Sequence, residues 1–231
     1  MSPRNLLAIA ASALVALPSL VQAQIGYPPA ESPFRDLEYR QEVTAEAGYL
    51  FAQRDPAGVA PKSAPIVGLR YAAQFGSPLV LSARLGTAFS ERDVIDPAAA
   101  PANRFVRTET VQLALLDVAV GVAFTGFRRW HGLVPEASAG VGVAGAFDEI
   151  DAGGYRFGTP FALNGGGGVR WAPGGHWQLR ADLTHRMYRI SYPQSYYQTT
   201  GGEAVLGPQD RNSRWTHNPA ITIGVSYLFD R

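Results

Sequence analysis

Eight stretches of this chain alternate, residue by residue, between large apolar side chains and small, polar or charged ones. Successive side chains of an extended strand point to opposite faces, so each stretch reads as a strand with one greasy side. The clearest is "ITIGVSYLF", where Ile221, Ile223, Val225, Tyr227 and Phe229 oppose Thr222, Gly224, Ser226 and Leu228. The others cover about 42–52, 66–75, 79–89, 111–124, 133–145, 160–171 and 176–188, the sixth being weakest because "NGGGG" lowers strand propensity. Charge is sorted throughout. The apolar face carries no acidic or basic residue at its centre, whereas the opposite face carries Glu46, Arg70, Arg84, Asp117, Glu136, Arg170, Arg180 and Asp182.

Such sorting is what a lipid-facing sheet requires, since Arg or Lys on the lipid face at the bilayer midplane costs roughly 2–4 kcal/mol. A soluble sheet with one wet face would sort charge too, so further signals are needed. The charged face is rich in Gly, Ala and Ser, which suits a narrow barrel interior better than a solvated surface. Lys62 is the only lysine and lies in an expected loop. Aromatic residues fall at both ends of the strands: Phe75, Phe124, Trp171, Trp177, Tyr227 and Phe229 at one, Tyr49, Phe51, Phe89 and Phe161 at the other. Two such girdles are what membrane interfaces select.

The connections alternate as well. "GSP", "TGFRRWHG" and "APGG" are short, whereas those near 53–65, 90–110, 146–159 and 189–215 are long. An even number of strands with short turns at one end and long loops at the other predicts an all-β fold: an eight-stranded antiparallel up-and-down transmembrane β-barrel over residues 41–231.

The start, "MSPRNLLAIAASALVALPSLVQAQ", has a basic first segment, an apolar stretch and a small-x-small site at Val21-Gln22-Ala23, so residues 1–23 read as a secretory signal peptide. Residues 24–40, with three prolines and no clean period, read as an N-terminal periplasmic tether. Without Arg4 the balance is 19 basic and 19 acidic residues, which gives no electrostatic footprint for nucleic acid. Cysteine is absent, which excludes disulfides and thiolate chemistry.

On the signal peptide, the eight alternating segments, the loop asymmetry and the aromatic C-terminal strand, the chain resembles the OmpA/OmpX-like outer-membrane β-barrel family. The resemblance implies the outer membrane as location, its lipid as surroundings, and the barrel-assembly machinery as a partner read through the C-terminal strand. The family ends on an aromatic residue; here Phe229 is followed by Asp230 and Arg231.

The eight inward charges, four of each sign, are expected to form an ion-pair network in a largely closed lumen, because unpaired buried charge is costly. A narrow pore through the same charges is the alternative. No catalytic residue, cofactor or metal site is expected. His131, His176, His185 and His217 stand in "HGL", "HWQ", "HRM" and "HNP", with no nucleophile at fixed spacing, and no HxH or HExxH occurs. "NGGGGVR" lacks the Lys-Ser/Thr ending of a phosphate loop. The role expected is structural or surface interaction, with an extracellular ligand at the long loops, where Tyr192, Tyr196, Tyr197 and Trp215 either meet that ligand or pack on one another. A lipid-modifying enzyme in the same membrane, or a soluble carrier of the lipocalin type with Leu116, Val120 and Ile223 around an apolar ligand, would be the alternatives. Heat-modifiable gel migration separates membrane barrel from carrier: a compact, SDS-resistant band is expected only after refolding with detergent or lipid, and cooperative folding in plain buffer would indicate the carrier.

Overall fold

In the computed structural model, residues 32–146, 150–198 and 203–230 are described, so the expected signal peptide lies outside them. The described residues form ten strands: β1 (Phe34–Asp36), β2 (Gln41–Leu50), β3 (Ala64–Gln74), β4 (Leu79–Ile95), β5 (Phe105–Ala123), β6 (Arg128–Trp130), β7 (Leu133–Ala146), β8 (Phe161–Trp171), β9 (Trp177–Ser191) and β10 (Ser213–Phe229). Eight of them close a ring, β2-β3-β4-β5-β7-β8-β9-β10 and back to β2, every pairing antiparallel. Closure is made by the first and last ring strands, in register from Leu50 opposite Ala220 to Gln41 opposite Phe229. A closed ring satisfies every strand edge internally.

The large apolar side chains point outwards. Leu116, Val120 and Ile223 are 48%, 55% and 67% exposed, so the face a soluble carrier would wrap around a ligand is the external one. Among the described residues, no helix is long and apolar enough to cross a membrane, a criterion that does not bear on strands.

Two hairpins run further than their alternation indicated. β4 and β5 extend to Ile95 opposite Phe105, and β9 and β10 to Ser191 opposite Ser213. A strand of 17 residues is about 56 Å long, which even tilted at 35–45° clears an apolar band about 25 Å tall. Beyond such a band the two-residue apolar period has no reason to persist, which is why the extensions escaped the pattern.

Residues 32–40, within the expected tether, are held under the short-turn end. β1 pairs with β6, Leu37 packs on Ala72, Val80, Ala123 and Val134, and Tyr39 bonds His176 at 3.0 Å. The apolar Phe34 and Leu37 that interrupt the polar segment explain why it docks.

Gly168 of β8 makes room for a carboxylate. A Cβ on Gly168 would lie 2.0 Å from Asp182 Oδ1 and 2.8 Å from the backbone oxygen of Ala181. Gly168→Ala is therefore expected to destabilise the barrel by about 1–3 kcal/mol, the usual cost of overpacking, read as a lower midpoint in equilibrium urea unfolding from lipid vesicles.

Candidate functional site: the lumen and its seals

Even-numbered residues of β2, β3, β4, β8, β9 and β10 point inwards, and the two-residue period stacks their charges in tiers. The tier nearest the short-turn end sets Glu42 and Glu136 among Arg70, Arg170 and Arg180. Arg70 Nη1 lies 2.5 Å, Arg170 Nη1 3.1 Å and Arg180 Nη1 3.3 Å from Glu42. Glu136 lies 2.8 Å from Arg180 Nη1 and 3.0 Å from Arg170 Nε. In the middle tier Asp182 accepts from Arg180 Nε at 2.5 Å, and Arg84 Nε is 2.9 Å from Glu46 Oε1 without hydrogen-bond alignment. Above it Asp117 receives Arg186 Nε at 2.9 Å and Nη2 at 2.7 Å, and Asn164 Nδ2 at 3.3 Å.

All eight residues singled out from the sequence thus point into one lumen, where seven are buried and Arg84 is nearly so. Alternation alone did not bring in Glu42 and Arg186, although their even numbers put them on the faces of Glu46 and Asp182. With them the stack holds five arginines and five carboxylates. A cavity of about 20 Å³ lies among Arg84, Asp117, Asn164 and Asp182, room for one water.

Towards the long-loop end the lumen turns apolar. Leu50, Ile66, Leu113, Leu115 and Tyr188 from the ring pack against Val59, Tyr155, Phe157, Tyr192, Tyr196 and Leu206 from the loops. Tyr192 and Tyr196 are buried, and their rings lie 6.1 Å apart, so these tyrosines pack on one another. Two polar ties hold this cap. Tyr192 donates to Asp55 Oδ2 at 2.9 Å. Arg92, 1% exposed, reaches Glu109 at 2.6 Å and Asp151 at 3.5 Å and sits over the Tyr155 ring.

The expected girdle residues take outward positions. Phe75, Phe124, Trp171, Trp177 and Tyr227 are exposed near the short turns, with Phe229 half-buried against Tyr71; Tyr49, Phe51, Phe89 and Phe161 are exposed near the long loops. Of the histidines, His176 joins the short-turn seal, His131 occupies the β6–β7 turn with φ 49°, and His185 and His217 bond each other.

No protein-family model and no curated protein matches the sequence. Solved structures do match it in shape. OprG of Pseudomonas aeruginosa superposes with a TM-score of 0.53 at 14% identity, covering 87% of this chain and all of that one. Neisserial surface protein A gives 0.51 at 15% identity, covering 82% and 97%. The N-terminal β-barrel domain of P. aeruginosa OprF gives 0.50 at 14% identity, covering 84% and 100%. The fold is that of the eight-stranded outer-membrane β-barrels.

In a barrel of this kind the lumen tiers are coupled electrostatically. Removing one member of a buried pair typically costs 3–5 kcal/mol because its partner is left charged and unpaired. Glu42→Gln is expected to destabilise on that scale, and Glu42→Gln with Arg70→Gln by less than the sum of the two single changes, measured by a double-mutant unfolding cycle.

The cap responds to alkali. Burial, reinforced by Asp55, raises the Tyr192 phenol above its ordinary value, and burial with Asp151 raises that of Tyr196. The folded state favours the neutral phenols, so their contribution is whole below about pH 10 and is lost as pH climbs through the raised values. Tyrosinate absorbance should therefore show fewer residues ionising near pH 10 in the folded barrel than in the urea-unfolded chain, and Tyr192→Phe should reduce that difference by one.

Proposed function

We propose that the protein is an integral outer-membrane β-barrel that serves as a closed, non-enzymatic anchor, displaying its long-loop end at the cell surface. In this reading residues 1–23 are the export signal, residues 24–40 lie on the periplasmic side, and residues 41–231 form the barrel. The external apolar face meets lipid, and the two aromatic girdles mark its interfaces. The C-terminal strand is what the assembly machinery reads.

One observation carries the closed-anchor reading: the lumen is filled along its length. Ion pairs occupy the short-turn half, apolar side chains the long-loop half, and Leu37 lies in the short-turn mouth. Eight strands leave an interior just wide enough for side chains, and here every tier contains them. The lumen network then acts as a structural plug rather than a conduction path.

A surface for other molecules is offered by the β4–β5 hairpin, whose connecting loop is tied by Arg104 to Glu203 and Ala204. The start of β5 exposes Phe105 and Val106 beside Arg107, an arrangement suited to surface contact. Tyr192 and Tyr196 are committed to the cap and contribute nothing to recognition.

Planar-bilayer recording tests the reading. The refolded protein is expected to insert without producing steady conductance steps, whereas Leu113→Gly with Tyr196→Gly, which opens a void in the apolar half, is expected to produce flickering small-conductance openings. Steady steps from the unaltered protein would make it a pore.

A further inference from the structure

At the long-loop end of the external apolar belt, level with its outer aromatic girdle, lies a set of donor atoms that the barrel does not need. His185 on β9 and His217 on β10 both face outwards, and His185 Nε2 lies 3.0 Å from His217 Nδ1. Met187 is directly opposite His217 in the β9–β10 ladder and, two residues from His185, shares its face. The chain contains two methionines, Met1 and Met187, so the one methionine among the described residues stands beside two of the four histidines. On the flank towards β8, the residue opposite His185 is Gly165, which leaves the imidazole uncovered on that side.

The geometry points to a copper site formed by His185, His217 and Met187. A metal about 2.0–2.1 Å from both facing nitrogens, which lie 3.0 Å apart, would subtend an angle of roughly 95°, which a small rotation of the two rings opens towards the wider angles of three-coordinate Cu(I). Imidazole suits copper and zinc alike, but a thioether selects Cu(I), and the set offers no carboxylate to a hard cation. Among the described residues no group of three or more His, Cys, Asp or Glu is placed to hold a metal, and this site depends on a donor outside that set. Binding replaces the imidazole–imidazole hydrogen bond. Each ring then carries its proton on the far nitrogen, His185 Nδ1 and His217 Nε2, so no net proton is released from the neutral pair.

The backbone is prepared for this. His217 N donates to Gln53 Oε1 at 3.0 Å, which ties β10 to the loop after β2, while the β9–β10 ladder fixes the spacing of all three side chains. Because the donors stand on two paired strands of a closed ring, the site is held by the fold rather than by a loop.

The test uses the whole chain refolded in detergent and titrated anaerobically with Cu(I) against a chromophoric Cu(I) chelator, with the methionine methyl groups labelled with carbon-13. One Cu(I) per chain is expected, together with a shift of the Met187 methyl signal. His185→Gln or His217→Gln should weaken binding by at least about a hundredfold, and Met187→Leu by roughly tenfold, at or above what losing a mere supporting partner of a ligand costs. All three side chains face outwards, so heat-modifiable migration should stay unchanged and report intact folding. Undiminished binding in either histidine variant, or no competition with the chelator, overturns the site. Equal affinity in Met187→Leu removes the thioether from it and overturns the three-donor assignment.

Discussion

The pairing of β2 with β10 is the constraint on which the rest of this structure depends. It joins residues 170 or more positions apart in sequence and leaves none of the eight ring strands with an open edge. Only once the ring is closed are all strand backbone groups satisfied without water, and only then is it physically permissible to turn the apolar side chains outwards into lipid. The inward positions are then forced to fill a narrow tube. Everything that distinguishes the interior follows from that geometry: small residues where strands crowd, and charges only where opposite charges face them.

The tube is filled in two ways. Near the short turns, carboxylates and guanidinium groups from β2, β3, β7, β8 and β9 converge, each of Glu42 and Glu136 meeting the same three arginines. Near the long loops, aliphatic and aromatic side chains of the loops fold back into the mouth and meet Leu113, Leu115 and Tyr188. The first is a polar network that tolerates little loss, because each unpaired charge would remain buried. The second is an ordinary hydrophobic core inside a membrane-type shell, with Arg92 and Asp55 as its polar ties.

Most of the ring was legible in the residues. A two-residue period with charge confined to one parity is a direct consequence of strand geometry, and it located the outward aromatics and eight of the ten ion-stack residues. Glu42 and Arg186 share that parity, but Glu42 stands at the start of β2 and Arg186 stands between the outward His185 and Met187, where the apolar face thins and the pattern loses its contrast. Arg92, Glu109 and Asp55 were less accessible still. Their neighbours come from loops and from strand extensions that rise past the apolar belt, and no period records such contacts. In the glycine run of β8, which argues against a strand on propensity alone, Gly168 follows from the nearness of Asp182 and Gly166 from that of the Leu183 backbone.

By itself, then, the sequence determined the strands, the face each turns outward and the neutral charge balance of the interior, because these are local consequences of alternation repeated along the chain. Only the tertiary structure decided which arginine meets which carboxylate, that the loop tyrosines face inward as a cap, that Leu37 lies in the short-turn mouth, and that His185, Met187 and His217 share one patch. Those contacts depend on the stagger between strands and on the path of the loops. Both are set by closing the ring, which no single stretch of sequence encodes.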